Sequence, residues 1–346
     1  MRIIALTDYK NRFGLKYSDV PYRSGMDKDL LKKCFNQSNV DIEFIQLTDI
    51  VNNKSLIDKD AFYIYTSSED IRYYYKNFIE DVVLYLEEIG CCMIPKFKYL
   101  RANNNKVFME FLRNSTNDNY ALSIQSKAFG VMEEILPEFK NYQYPVVIKK
   151  SEGASGRGVF KADNQNELIN VVKKISSTKE LYYDFKDLLR TFKHKDYLKE
   201  SKYRKKFIIQ NMIPNLKNDW KVYFFYGKYY IFYRPVFKER GFRASGGGYE
   251  NYFYDESAQR PEGIFDFAKE IVSNFSIPNA SLDIAWDGKT FHLIEMQFLY
   301  FGTAGIPYSK GYYIEKNNKW IFVENKLSIE HVYSQSICEY INSIKK

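Results

Sequence analysis

Two stretches of the chain concentrate residues suited to phosphate and metal chemistry. The first, YPVVIKKSEGASGRGVF at 144–160, is an apolar run that reaches Lys149 and Lys150 and then three glycines within six residues. Glycines after a strand let the backbone close over a phosphate chain and aim N–H groups at it. Lys149, at the end of that strand, would project toward the same phosphates as a point charge. The order is unusual. Kinases place the glycine loop before the lysine-bearing strand, and P-loops end in a lysine followed by Ser or Thr. Three glycines are equally consistent with a flexible hairpin.

The second stretch, SLDIAWDGKTFHLIEMQFLYFG at 281–302, reads as a β-hairpin turning near Asp287-Gly288. Alternation puts Glu295 and Gln297 on one face. With an odd-numbered turn centred on Gly288, Asp283 pairs with Leu293 and lies diagonal to Glu295 on that face. Two carboxylates and an amide oxygen then converge, the hard oxygen donors that magnesium prefers. Ordinary edge-strand acids are the alternative. The same register sends His292 to the opposite face as a structural histidine. A third signal is Lys106 in NNNKVFMEFLRN. With Asn105 as N-cap and Val107, Phe108, Phe111 and Leu112 as an apolar face, Lys106 falls in the first helical turn. The macrodipole disfavours a cation there, so the position suggests either an adjacent anion or a solvated lysine.

These residues need a scaffold, and its pattern is readable. Over the first hundred residues strands alternate with helices. IIALT, VDIEFIQL, AFYIYTS and CCMIPKF read as strands, and RYYYKNFIEDVVLYLEEIG as a helix with Phe78, Ile79, Val82, Val83, Leu86 and Ile89 at helical spacing and Gly90 closing it. That alternation predicts an open, largely parallel sheet. After residue 207 the texture is β again, with a Gly-rich loop, GFRASGGGYE, before the helix PEGIFDFAKEIVSNF. The expected segments are 1–103, an N-terminal α/β lobe; 104–209, a central lobe with a basic insert at 176–206; and 210–346, a C-terminal lobe with the hairpin and a closing helix.

The 346 residues suffice for two or three lobes with real cores. No apolar run approaches a membrane span, the N-terminus lacks signal-peptide features, and the four cysteines show no metal-ligand spacing. A reduced, cytoplasmic protein is the expectation. The net charge of +8 suits an acidic partner or simply a lysine-rich surface. No nucleic-acid reading motif accompanies it.

Taken in order, Lys106, Lys149 with its glycine loop, a strand ending Gln210-Asn211-Met212-Ile213, Asp219, Arg234, FRASGGG, Asp283 and Glu295-x-Gln297 resemble the ATP-grasp superfamily. The pattern is closest to the ribosomal-protein glutamate ligases and glutathione-synthetase-like enzymes. The resemblance runs from the N-terminal lobe to about residue 310, and the fold it implies is an open parallel α/β lobe followed by two α+β lobes that close on ATP. By it, Lys106 and Lys149 would hold the phosphates, and Ser155, Gly156 and Gly158 would lie in the lid. Gln210, Asn211, Met212 and Ile213 would bind adenine, with Lys221 also at the nucleotide. Asp219 would contact ribose. Arg234, Arg243 and Ser245 would face the transferring phosphate, with Arg243, Arg234 and Lys149 as the catalytic cations. Asp283, Glu295 and Gln297 would bind two magnesium ions, with manganese as a substitute. Gln297 stands where Asn is usual, and Asn211 where an acid is common.

The implied chemistry is ATP-dependent ligation of a small-molecule acid, an amino acid or sugar acid, to an amine through an acyl phosphate. A peptide- or protein-modifying ligase and a non-catalytic nucleotide- or polyanion-binding module are the alternatives. The resemblance leaves a homodimer open, and the 176–206 insert is a candidate for docking an anionic acceptor.

Overall fold

The computed structural model describes residues 1–15, 25–116, 124–153, 156, 158–214, 216–236, 253–254 and 260–345. Contacts gather these into two units. One holds Met1–Asn103 and Leu216–Lys346, the other Asn104–Asn117 and Leu122–Asn215.

The first unit begins with a parallel sheet of β1 (Arg2–Thr7), β2 (Asp41–Gln46), β3 (Phe62–Tyr65) and β4 (Cys92–Ile94) in the order β2-β1-β3-β4. Helices α1 (Lys28–Gln37), α2 (Leu47–Asn52), α3 (Tyr74–Glu88) and α4 (Phe97–Ala102) connect and cover it. The strands are apolar on both faces, as a covered parallel sheet requires: Ile3 and Ala5 feed one core, Ile4 and Leu6 the other. Asp27 caps α1 through the N–H groups of Asp29 and Leu30. In α3 the expected stripe buries Ile79, Val82, Val83 and Leu86, and Gly90 follows the helix at φ +94°, the left-handed conformation that suits glycine at a helix end.

The second unit contains α5 (Lys106–Asn114), β5 (Ser126–Phe129), β6 (Val146–Lys150), β7 (Val159–Ala162), α6 (Gln165–Ser176), α7 (Leu181–Lys193) and β8 (Phe207–Asn211). Its antiparallel sheet has the order β5-β8-β6-β7. Val146 and Ile148 of β6 and Phe207 and Ile209 of β8 point into a core with Leu168, Val172 and Ile175 of α6. By alternation, Val147 and Lys149 of β6 and Ile208 and Gln210 of β8 line the other face.

The first unit resumes with β9 (Asn218–Phe225), β10 (Lys228–Pro235), β11 (Phe253–Tyr254), α8 (Ile264–Ser273), β12 (Asn279–Trp286), β13 (Phe291–Gln297), β14 (Gly311–Lys316), β15 (Lys319–Glu324) and α9 (Ile329–Ile344). The strands form an antiparallel sheet in the order β13-β12-β9-β10-β14-β15, with β11 on β10. Tyr223, Phe225, Tyr230 and Phe232 pack with Val332, Ile337 and Ile341 of α9 in the core that also takes Ile3 and Ala5. Mixed parallel and antiparallel sheets of this kind fit the α/β and α+β architecture expected from the sequence.

Candidate functional site

In the first unit the chemistry lies on one face of the antiparallel sheet. The hairpin turns where expected, between Trp286 and Phe291, but its register differs from the expectation. Asp283 pairs directly with Glu295, and a bulge then sets Ile284 opposite Leu293 so that Ile294 is the extra residue. A bulge of this kind re-aims the strand beyond it. Asp283 and Glu295 are therefore cross-strand neighbours, and Gln297 stands opposite Ser281 one step along the same face. The bulge also corrects the placement of His292. It pairs with Ala285, which alternation along β12 puts on the Asp283 face, and its Nε2 lies 2.8 Å from Asp287 Oδ2 in the turn.

Asp283 is the centre of a charge cluster. On β9 it faces Lys221, whose Nζ lies 3.1 Å from Asp283 Oδ1. One row on, Arg234 of β10 faces Asp219 of β9. Arg234 Nε and one amino group donate to the two Asp219 carboxylate oxygens at 2.5 and 2.7 Å, a bidentate pair, and Arg234 also lies 2.8 Å from Asp283 Oδ2. Two carboxylates thus share two cations. Burial raises Asp283, but the charges of Arg234 and Lys221 outweigh it and hold this carboxyl below the usual carboxylate range. Burial pushes Asp219 up, against Arg234's pull and with Asp283's charge adding to the rise. Asp219 was expected at a ribose and Arg234 at a phosphate. Here each is buried and holds the other.

The oxygen donors that this face offers a metal are Asp283, Glu295, Gln297 and Ser281. Ser281 Oγ is buried and has no hydrogen-bond partner among the described residues. Such an orphaned oxygen beside two carboxylates fits a hard cation such as magnesium. Sequence reasoning missed Ser281, although its i, i+2 relation to Asp283 places it on the same face.

In the second unit α5 gathers the polar groups. Asn105 caps it, accepting from the Phe108 N–H. Lys106 anchors the loop after β6: its backbone N–H donates to the Ser151 carbonyl at 2.8 Å, and its Nζ to the Gly153 carbonyl at 2.7 Å. The expected apolar face of α5 is corrected. Val107 and Leu112 are buried, but Phe111 is 53% exposed and the polar stripe Lys106, Glu110, Arg113 turns inward. On that side Glu110 Oε1 meets two partners. Arg113 lies 3.4 Å from Glu110 Oε1, and Gln210 Nε2 donates to the same oxygen at 3.1 Å. The spacing i, i+4, i+7 from Lys106 carried that signal in the sequence.

Lys149 is 5% exposed on β6, opposite Ile208. Three buried cations, Lys106, Arg113 and Lys149, therefore accompany one buried carboxylate, Glu110, among the described residues of α5 and β6. Glu110 Oε2 is also buried and has no hydrogen-bond partner among them. In the glycine loop, the Gly156 carbonyl accepts from the Val159 N–H and the Gly158 carbonyl from the Lys150 N–H. Asn211 ends β8 beside Gln125, to whose carbonyl its N–H donates at 3.1 Å, and Met212 and Ile213 continue from it half-buried. Ser155, Arg243 and Ser245 lie outside the described residues.

Asp287 supplies a pH-dependent test of the hairpin. The hydrogen bond from His292, then those from the Thr290 and Lys289 N–H groups, lower its carboxyl to about 2. Its stabilisation is present above the ordinary value of 3.8 and is lost as pH falls toward 2. His292→Ala should return the Asp287 titration toward its ordinary value in a carboxyl NMR experiment. The variant's stability deficit should shrink below pH ~4.

No protein-family model and no curated protein matches the chain. Solved structures do match. A crystal structure of the D-cycloserine synthetase DcsG superposes with a TM-score of 0.56 at 10% identity, covering 98% of this chain and 99% of that one. The ATP-grasp ligase PsnB, complexed with precursor peptide PsnA2 and AMPPNP, gives 0.52 at 9% identity over 98% and 97%. The D-alanine–D-alanine ligase of Bacillus anthracis gives 0.51 at 13% identity over 100% and 98%. At these identities the likeness speaks to architecture. The chain shares the fold of these solved structures, the ATP-grasp ligase PsnB among them.

Proposed function

We propose that this protein is an ATP-dependent carboxylate–amine ligase acting on a small-molecule acid. The observation that carries the reading is the row of oxygen donors Ser281, Asp283, Glu295 and Gln297 on one face of the first unit's sheet, with the orphaned Ser281 Oγ among them, which suits a hard cation of the kind that accompanies a nucleotide. Lys106 and Lys149 would bind the phosphates, with Ser155, Gly156 and Gly158 of the glycine loop over them. Gln210, Asn211, Met212 and Ile213 would bind the adenine. Asp283, Glu295 and Gln297 would hold magnesium, or manganese in its place, which supplies charge neutralisation on the phosphate oxygens. Lys221, now paired with Asp283, would turn to the nucleotide as Asp283 takes up the metal.

Phosphoryl transfer asks mostly for positioning and electrostatic stabilisation. The acid's carboxylate oxygen would bond to the γ-phosphorus as the bond to ADP breaks, and the amine nitrogen would then displace phosphate from the acyl carbon. Lys149 would orient the phosphoryl group, with Arg243 and Ser245 facing it and Arg234 holding Asp283 in place. The likeness to D-cycloserine synthetase and D-alanine–D-alanine ligase supports a small acid. The likeness to PsnB with its precursor peptide favours, as a second reading, a peptide acceptor.

The test is a pairwise screen of amino acids and uronic acids for magnesium-dependent release of phosphate and ADP, with acidic peptides as a separate arm. Calorimetric titration with Mg·ADP accompanies it. Absence of nucleotide binding would sink the reading, and turnover only with peptides would select the second one.

A further inference from the structure

Helix α7 is built inside out. Its residues at i, i+4, i+7 and i+11, Leu181, Phe185, Leu188 and Phe192, are 92%, 61%, 42% and 83% exposed. Leu189 widens the stripe, and Leu198 in the following segment is 87% exposed. The one buried residue of the helix is polar: Asp187 accepts a hydrogen bond from the Tyr197 hydroxyl at 2.5 Å. Asp184, on the same inner side, lies 3.6 Å from Lys202 Nζ. An amphipathic helix in a globular unit ordinarily turns its apolar stripe to the core. Here polar tethers hold the apolar side in solvent.

The surroundings of the stripe are basic. Residues 176–206 carry ten Lys and Arg against five Asp and Glu, a surplus of +5 out of the +8 of the whole chain. Lys186 and Lys193, seven residues apart, follow the margin of the stripe beside Tyr182, and both are exposed.

We infer that α7 is a membrane-surface contact that seats this protein on an anionic bilayer. The stripe is a convex ridge of Leu and Phe carried on ~20 Å of helix. A ridge of that shape can sink between headgroups without a complementary groove, and lysines along its margin can reach the anionic phosphates while their stems stay apolar. A second copy of the chain would bring two +5 segments together, which charge disfavours. This contact does not depend on the ligase reading. It requires no nucleotide, so its failure and the failure of that reading are separable. Among the described residues no helix is long and apolar enough to cross a membrane, which makes a surface contact the mode this helix fits.

The experiment is co-sedimentation of the full chain with vesicles of equal parts phosphatidylglycerol and phosphatidylcholine, and with phosphatidylcholine alone. The expected result is binding to the anionic vesicles that weakens with added salt and falls roughly tenfold or more in Phe185→Glu/Phe192→Glu. That variant changes exposed positions, and its circular dichroism and melting should match the parent. Lys186→Gln/Lys193→Gln should weaken binding to the anionic vesicles alone. The inference is overturned if the protein stays in the supernatant, binds neutral vesicles equally, or is unaffected by the Phe changes. Phe192-dependent binding of a polyglutamate peptide without vesicle binding would replace the membrane with an acidic chain. A dimer abolished by the Phe changes would replace it with a second copy.

Discussion

Glu295→Ala should lower magnesium-dependent ATP turnover by roughly 100-fold or more, with the fold intact. Removing Glu295 spares the Asp283 cluster. Asp283 carries Lys221 and Arg234 at 3.1 and 2.8 Å, so its loss would strand two cations and confound catalysis with stability. Glu295 is half-buried on β13, the end strand of the sheet order, and its removal leaves the Arg234–Asp219 pair in place. The expected signature is a change in the magnesium dependence as well as the rate: more metal needed for half-maximal turnover, with ADP affinity in the absence of metal unchanged. Glu295→Gln keeps one oxygen donor and should fall between wild type and alanine. Turnover in the alanine variant equal to wild type would remove the metal assignment.

Much of this arrangement was legible in the sequence, and the exceptions have physical causes. Period-2 and helical patterns marked the parallel sheet, α3 with its glycine stop, the Asn105 cap and the hairpin turn, because each is fixed by local residues. The hairpin register was not legible. A bulge at Ile294 depends on packing and leaves no mark in alternation, yet it moves Asp283 from diagonal to directly opposite Glu295 and carries His292 onto the Asp283 face. The direction in which the α5 polar stripe faces was hidden for a related reason. Phe108 and Phe111 look like a core face until Gln210, a hundred residues away from Glu110, supplies the partner that lets the polar side turn inward. The orientation of α7 likewise follows from Tyr197 and Lys202, which hold its acidic side against the unit. Hydrophobic periodicity gives the stripe but not the direction it faces.

Arg234→Met should destabilise the protein by about 3–5 kcal/mol, the usual cost of removing one partner from a buried ion pair. Arg234 is the group shared by Asp219 and Asp283, and without it two carboxylates face the single ammonium of Lys221. Methionine fills much of the same volume, so the loss would report charge more than cavity. Arg234→Lys restores the charge but not the two-pronged donor geometry, and should recover only part of the stability. The pH dependence identifies the mechanism. Burial and Asp283's charge raise Asp219 to about 6 from 3.8, despite Arg234's pull. Its contribution is therefore full below the ordinary value and is lost as pH rises through about 6. Asp283, held low by Arg234 and Lys221 against burial, contributes fully above the ordinary value and loses that contribution only as pH falls further. Asp219→Asn removes the first titration alone. By urea denaturation, its deficit relative to wild type should be larger at pH ~4.5 than at pH ~7. A deficit that is the same at both, or larger at neutral pH, would show that Asp219 is not the group raised by burial in this cluster.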